Sequence, residues 1–181
     1  MPRRIALMLV GMLALAACAS RVPSGEPHAG GYVGGVVNAE CAPFARALTG
    51  VGLQGAAADW WQAADGRYAR VHAPNEGSLQ VLRRSGRLPS GHVAVVSRVV
   101  SARQILVTQA NWVPRRVATD QPVIDVSTHN DWSSVRIWWP PTGEMGTTDY
   151  AAYGFILPDR PASHDQLMAA TPRAIRSVTG G

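Results

Sequence analysis

Lysine is missing from this chain. All 17 basic side chains are arginine, set against 12 acids, for a formal charge of +5. Basicity alone admits nucleic acid as a partner. An exported domain without lysine, its aromatics read as core, gives that reading no support, and no nucleic acid is expected. Metal-binding patterns are missing too: His72, His129 and His164 form no HExxH run and share no Cys/His ligand spacing. Neither a glycine-rich phosphate loop nor a dinucleotide-binding signature occurs, so neither metal nor cofactor is expected. Internal repeats and low-complexity stretches are absent. Acids are absent between Glu76 and Asp120, a span that holds Arg83, Arg84, Arg87, Arg98, Arg103, Arg115 and Arg116. Cysteine is scarce, with only Cys18 and Cys41. What is abundant is apolar side chain, 46% of 181 residues. That is enough for a packed core and against wholesale disorder, and the length fits one domain with appendages.

The two cysteines read as serving different ends. Arg3 and Arg4 precede an apolar run from Ile5 to Ala17. Spanning a bilayer takes about 20 apolar residues, so this run reads as an export signal over residues 1–18. Its end, Leu15-Ala16-Ala17-Cys18, resembles a bacterial lipobox. That resemblance implies lipidation of Cys18; plain cleavage near Ala14-Leu15-Ala16 is the alternative. Ala19 rather than Asp follows the cysteine, so a lipid anchor in the outer membrane, facing the periplasm, is the expectation where the host has two membranes. Removal of Arg3 and Arg4 leaves 15 arginines against 12 acids. An acylated Cys18 also leaves Cys41 without an intrachain disulfide partner, which in an exported protein flags reactivity. Residues 19–35, rich in glycine and proline, read as a flexible tether, with His28 solvated in it.

Residues 36–158 read as the folded domain. A helix from Cys41 to Thr49 puts Phe44, Ala45 and Leu48 on one face, with Gly50 as its stop. Pro43 is tolerated only in the first turn, which fixes the start at residue 40 or 41. A second short helix is expected over 57–64, carrying Trp60 and Trp61. Strand patterns follow at 78–82, 92–100, 104–112, 122–127, 134–139 and 153–157. Helices first and strands afterwards argue an α+β fold, with N-terminal helices packed on a five- to six-stranded antiparallel sheet. Residues 159–181 read as a polar tail with room for a short helix at 164–170.

The chemistry concentrates on a thiol, an imidazole and two amides. A thiolate is the nucleophile, and the first turn of a helix is where unpaired N–H groups stabilise it. Cys41 stands there, whereas a merely structural thiol would sit more naturally mid-helix. His92 opens a strand directly after Gly91, at a sheet edge, where it can exchange a proton with the thiol. Gln109 and Asn111 share one strand face by alternation, and either amide oxygen can accept the imidazole N–H. Arg83, Arg84 and Arg87, in the loop before His92, form a rim for an anionic substrate, with Trp112 beside it. Arg98 and Arg103 read as a solvated face. A positive field of this kind favours thiolate at Cys41 but opposes a further proton on His92.

Two segments carry a family resemblance. One runs from Cys41-Ala42-Pro43-Phe44-Ala45-Arg46 through Ala58-Asp59-Trp60-Trp61 to Gly66-Arg67-Tyr68-Ala69-Arg70; the other from Ser85-Gly86-Arg87-Leu88-Pro89-Ser90-Gly91-His92 to Gln109-Ala110-Asn111-Trp112. Together they resemble a CHAP domain, a cysteine- and histidine-dependent amidohydrolase/peptidase of papain-like, NlpC/P60-related fold. Tyr153-Gly154-Phe155-Ile156 is similar to that family's closing strand. The resemblance implies cleavage of peptidoglycan amide bonds, with the nucleophile at Cys41 and the base at His92. It puts the family's third residue, often Glu, on Gln109, and its frequent Asn on Asn111. Here the sequence departs from the family, since an amide replaces the carboxylate. Two alternatives stand beside this expectation: a peptidoglycan-binding lipoprotein that has lost catalysis, and an amidase acting on a small peptide conjugate.

Overall fold

The computed structural model describes residues 30–180. The export segment with Cys18, and residues 19–29 of the expected tether, lie outside them. Helix α1 (Cys41–Thr49) begins with Pro43 in its first turn and stops at Gly50, which adopts φ 76°. The Gly50 N–H closes the last turn onto the Arg46 carbonyl at 2.8 Å, a left-handed cap that glycine adopts without a Cβ penalty. A 3₁₀ turn at Ala57–Asp59 then runs into α2 (Trp60–Ala63), where Trp60 is fully buried.

The strands of the described residues, the first of which precedes α1, all pair antiparallel. They are β1 (Tyr32–Val33), β2 (Ala69–Val71), β3 (Leu79–Leu82), β4 (His92–Ser101), β5 (Gln104–Ala110), β6 (Val117–Asp125), β7 (Ser134–Trp139), β8 (Glu144–Met145) and β9 (Tyr150–Leu157). Their order, β6-β5-β4-β3-β9-β7, closes because β7 pairs back onto β6. The result is a six-stranded barrel, and closure removes the open edges that a sheet otherwise exposes. Those six strands correspond to the six segments with strand patterning. Strands β1, β2 and β8 are additions too short for alternation to reveal.

Alternation sorts the side chains of the barrel wall between two cores. Leu82, Ala94, Val96, Ile105, Val107, Val135, Ile137 and Phe155 pack inside the ring. Leu79, Val81, Val93, Val95 and Ala110 face the other way, onto Phe44, Ala45, Leu48 and Trp60 of the helical layer. Helix α1 therefore lies across β4 and β5, which brings its N-terminus to the ends of those two strands.

Three expectations need correction. Residues 30–35 read as tether, yet β1 pairs with β6, and the Gly30 N–H bonds the Asp120 carbonyl at 3.1 Å. Strand 104–112 was expected to carry Asn111, but β5 ends at Ala110 and Asn111 takes φ 58°. Residues 159–181 read as a polar tail, yet His164–Thr179 forms α3, which packs on α1 and buries Leu167, Thr171, Ala174 and Ile175. Ser163 and Gln166 make a reciprocal capping box at its start. Pro172 lies inside this helix, at a cost of about 3 kcal/mol that packing has to offset. No helix among the described residues is long and apolar enough to cross a membrane.

Candidate active site

Cys41 is the first residue of α1 and is half-buried, a free thiol among the described residues. Pro43 has no N–H, and no side chain caps the helix at Glu40. The N–H groups of Cys41 and Ala42, in the first turn, have no intrahelical acceptor. Beside the thiol stand the His92 ring and the Val93 N–H. Burial pushes the thiol up and Glu40 adds to that. The charge and hydrogen bond of His92, with the Val93 N–H, outweigh both and leave Cys41 below its ordinary value.

His92 owes its place to the residue before it. Gly91 adopts φ 70°, and a Cβ there would meet the Ala58 Cβ at 2.6 Å and the Leu82 carbonyl oxygen at 2.7 Å. Only glycine lets the loop press against the 3₁₀ turn, where the Ala58 N–H bonds the Ser90 carbonyl at 3.0 Å. His92 then enters β4 opposite Leu82, with only 4% of its surface exposed. Its Nε2 lies 2.9 Å from Gln109 Oε1, so Nδ1 is the ring nitrogen left for the thiol. Burial pushes the imidazole down. The Cys41 charge and hydrogen bond, the Gln109 bond and the Glu40 charge outweigh it, and His92 holds its proton above the ordinary value. The two shifts run in opposite directions, each favouring the charged form of its group. The arginine field expected to oppose a proton on His92 is not among these leading causes.

The structure separates the two amides that the sequence left equivalent. Gln109 is 1% exposed and meets His92. The Asn111 side chain instead donates to Glu40 Oε2 at 2.9 Å and accepts the Arg115 N–H at 3.0 Å. The reason is local: the left-handed turn at Asn111 breaks the alternation that would have aimed it beside Gln109. Sequence reasoning missed Glu40. No acid lies on the strands around His92, but the residue directly before Cys41 is one. Adjacency to the thiol was the available signal.

The arginine rim divides in the same way. Arg84 pairs with both oxygens of Asp59 at 2.7 and 2.8 Å, and Arg83 lies 4.3 Å from the centre of the Tyr153 ring and donates to the Ala152 carbonyl. Both contact groups of the protein itself while remaining exposed. Arg87 remains, exposed at the mouth of a cleft that Trp112 also lines. The Trp112 ring lies 5.2 Å from the His92 ring, its N–H donating to the Trp138 carbonyl at 3.1 Å. No group of three or more His, Cys, Asp or Glu side chains suited to a metal ion occurs among the described residues.

A mixed α/β barrel carrying a thiol, an imidazole and an amide in sequence contact is the class of protein defined so far. Residues 30–111 match the CHAP domain family model. The matched stretch includes Cys41, His92, Gln109 and Asn111 and stops before β6 to β9 and α3. That family is generally hydrolytic, with amidase and peptidase members. No curated protein and no solved structure matches the chain.

Proposed function

We propose that this protein is a cysteine-dependent amidohydrolase or peptidase of papain-like architecture that cleaves amide bonds in peptidoglycan. The observation that carries the reading is the Cys41–His92–Gln109 line, in which the thiol lies below its ordinary value and the imidazole above it. Cys41 Sγ attacks the scissile carbonyl carbon, and the carbonyl π electrons move to oxygen. The N–H groups at the start of α1 receive that oxyanion. As the C–N bond breaks, His92 Nδ1 gives its proton to the leaving amine. Water then adds to the thioester while His92 takes up its proton, and the thiolate departs to free the carboxylic acid. Gln109 holds the ring through Nε2 in both halves of the cycle.

An amide at position 109 suits this cycle. It orients the imidazole without adding a buried negative charge, so the thiolate is the charge that balances the buried ring. The proton therefore moves with the state of the sulfur. This favours hydrolysis over the reading of a wall-binding lipoprotein without catalysis. Export and lipidation at Cys18, in the outer membrane facing the periplasm, complete the proposal on the strength of the N-terminal sequence. Incorporation of labelled palmitate, lost in Cys18→Ala, tests it.

The principal test is digestion of purified peptidoglycan by the full-length protein, with fragments identified by mass spectrometry. New amine and carboxyl ends are expected from the unsubstituted protein and none above background from Cys41→Ala. Equal release by the two proteins would sink the thiol mechanism.

A further inference from the structure

A cleft of about 320 Å³ opens beside the site, and Trp112 belongs to both, packing on His92 and lining the cleft. Its apolar lining includes Trp112, Trp139, Met145 and Tyr150; its charged lining is Arg87 and Glu144. Arg87 comes from the loop that delivers His92, and Glu144 from β8. Trp139 and Glu144 are partners across the β7–β8 hairpin, so their side chains leave it on one side. Both charges are exposed. The arginine ion pairs among the described residues join Arg70 to Asp65, Arg84 to Asp59, Arg103 to Asp125 and Arg136 to Asp149. Arg87 and Glu144 take part in none of them.

A cleft with aromatic walls and one unspent charge of each sign selects for a matching ligand. Arginine's planar fork fits a carboxylate, a glutamate accepts from an ammonium, and indole and phenol rings cover a methylene stem. A neutral glycan leaves both charges unanswered, and a purely anionic peptide end meets Glu144 as a like charge. We infer that this cleft is a subsite for a peptide end or side chain bearing both a free carboxylate and a free ammonium on an apolar stem. The carboxylate sits at Arg87 and the ammonium at Glu144. The inference rests on the reading above that a peptide is the substrate.

The test uses the full chain with Cys41→Ser, so that binding is measured without turnover. Three synthetic peptides share one apolar stem. The first ends in free carboxylate and ammonium, the second has that amine acetylated, and the third has that carboxyl amidated. Calorimetry, or the fluorescence of Trp112 and Trp139, follows the titrations. Each blocked peptide is expected to bind about tenfold more weakly than the free one. Arg87→Ala should erase the penalty for amidation and keep that for acetylation; Glu144→Gln should do the reverse. A misfolded variant cannot produce that crossed pattern. The inference is overturned by equal binding of the three peptides, by no saturable binding of the free one, or by both substitutions weakening all three alike. Peptidoglycan cleavage without the crossed pattern rejects the subsite and keeps the hydrolase. The crossed pattern without cleavage does the opposite.

Discussion

Two histidines in this molecule hold their proton more tightly than a free imidazole does, and their surroundings differ. His164, 21% exposed at the start of α3, has Nε2 3.0 Å from Asp120 and Nδ1 3.4 Å from Asp165. Its hydrogen bond to Asp120 is the leading cause, against partial burial and the charge of Arg98. His92 is buried with no carboxylate touching it, and burial is the largest influence, directed against the charge it carries. Its proton is held by a thiol that becomes anionic only in giving that proton up. A carboxylate partner owes none of its charge to that proton, so His164 is held by a fixed charge. A thiol partner makes the charge conditional, so the proton on His92 can leave and return. The first arrangement fastens α3 to β6, and the second suits the proposed cycle.

The comparison breaks most readily at His92. His92→Ala is expected to lower peptidoglycan hydrolysis by about 10²–10⁴-fold, the usual worth of a general acid–base group. It also removes two of the three influences that hold Cys41 down, leaving burial and the Val93 N–H in place, so the thiol rises. Iodoacetamide labelling at pH 6.5 should be rapid in the unsubstituted protein and slow in the variant. Unchanged labelling would mean that the imidazole does not set the state of the sulfur.

Gln109 sharpens the contrast, with a smaller effect. Gln109→Ala removes one hydrogen bond that favours the charged ring and should cost on the order of tenfold in kcat. Gln109→Glu gives His92 the kind of partner that His164 has. It should raise His92 further and move the alkaline limb of the pH–rate profile upward. A profile that does not move would show that position 109 packs against the ring without governing its proton.

The smallest effect belongs to His164. Its folded value is raised above 6.5. Its stabilising contribution is therefore fully present below that pH and disappears as pH rises through the folded value. His164→Ala should cost up to about 1 kcal/mol at pH 5.5, less at pH 8.5, and leave hydrolysis by the folded protein unchanged. Chemical denaturation at the two pH values reads it out. Loss of activity in this variant would erase the division of labour between the two histidines.

Much of the site was legible in the sequence because local rules fixed it. Pro43 and Gly50 bracket α1, which places Cys41 in a first turn, and β-rich patterning after Gly91 places His92 at the head of a strand. Alternation then delivered Gln109 but failed two residues on, because no local rule announces that Asn111 turns left-handed and reaches back to Glu40. The rim divides for a similar reason. Arg83, Arg84 and Arg87 are alike in sequence, and only tertiary neighbours, Tyr153 and Asp59, distinguish the two that are engaged from the one that is free. Helix α3 carried its apolar stripe at Leu167, Thr171, Ala174 and Ile175, a helical spacing. Polar composition and Pro172 obscured it, and the surface it covers, α1, lies more than a hundred residues upstream.

That last contact sets an order on synthesis. The proposed nucleophile is residue 41, but the helix that braces its own helix ends at Thr179. The segment bearing the thiol emerges more than a hundred residues before the helix that packs on it. A chain that has delivered β4 but not α3 thus holds Cys41 and His92 with one face of α1 uncovered.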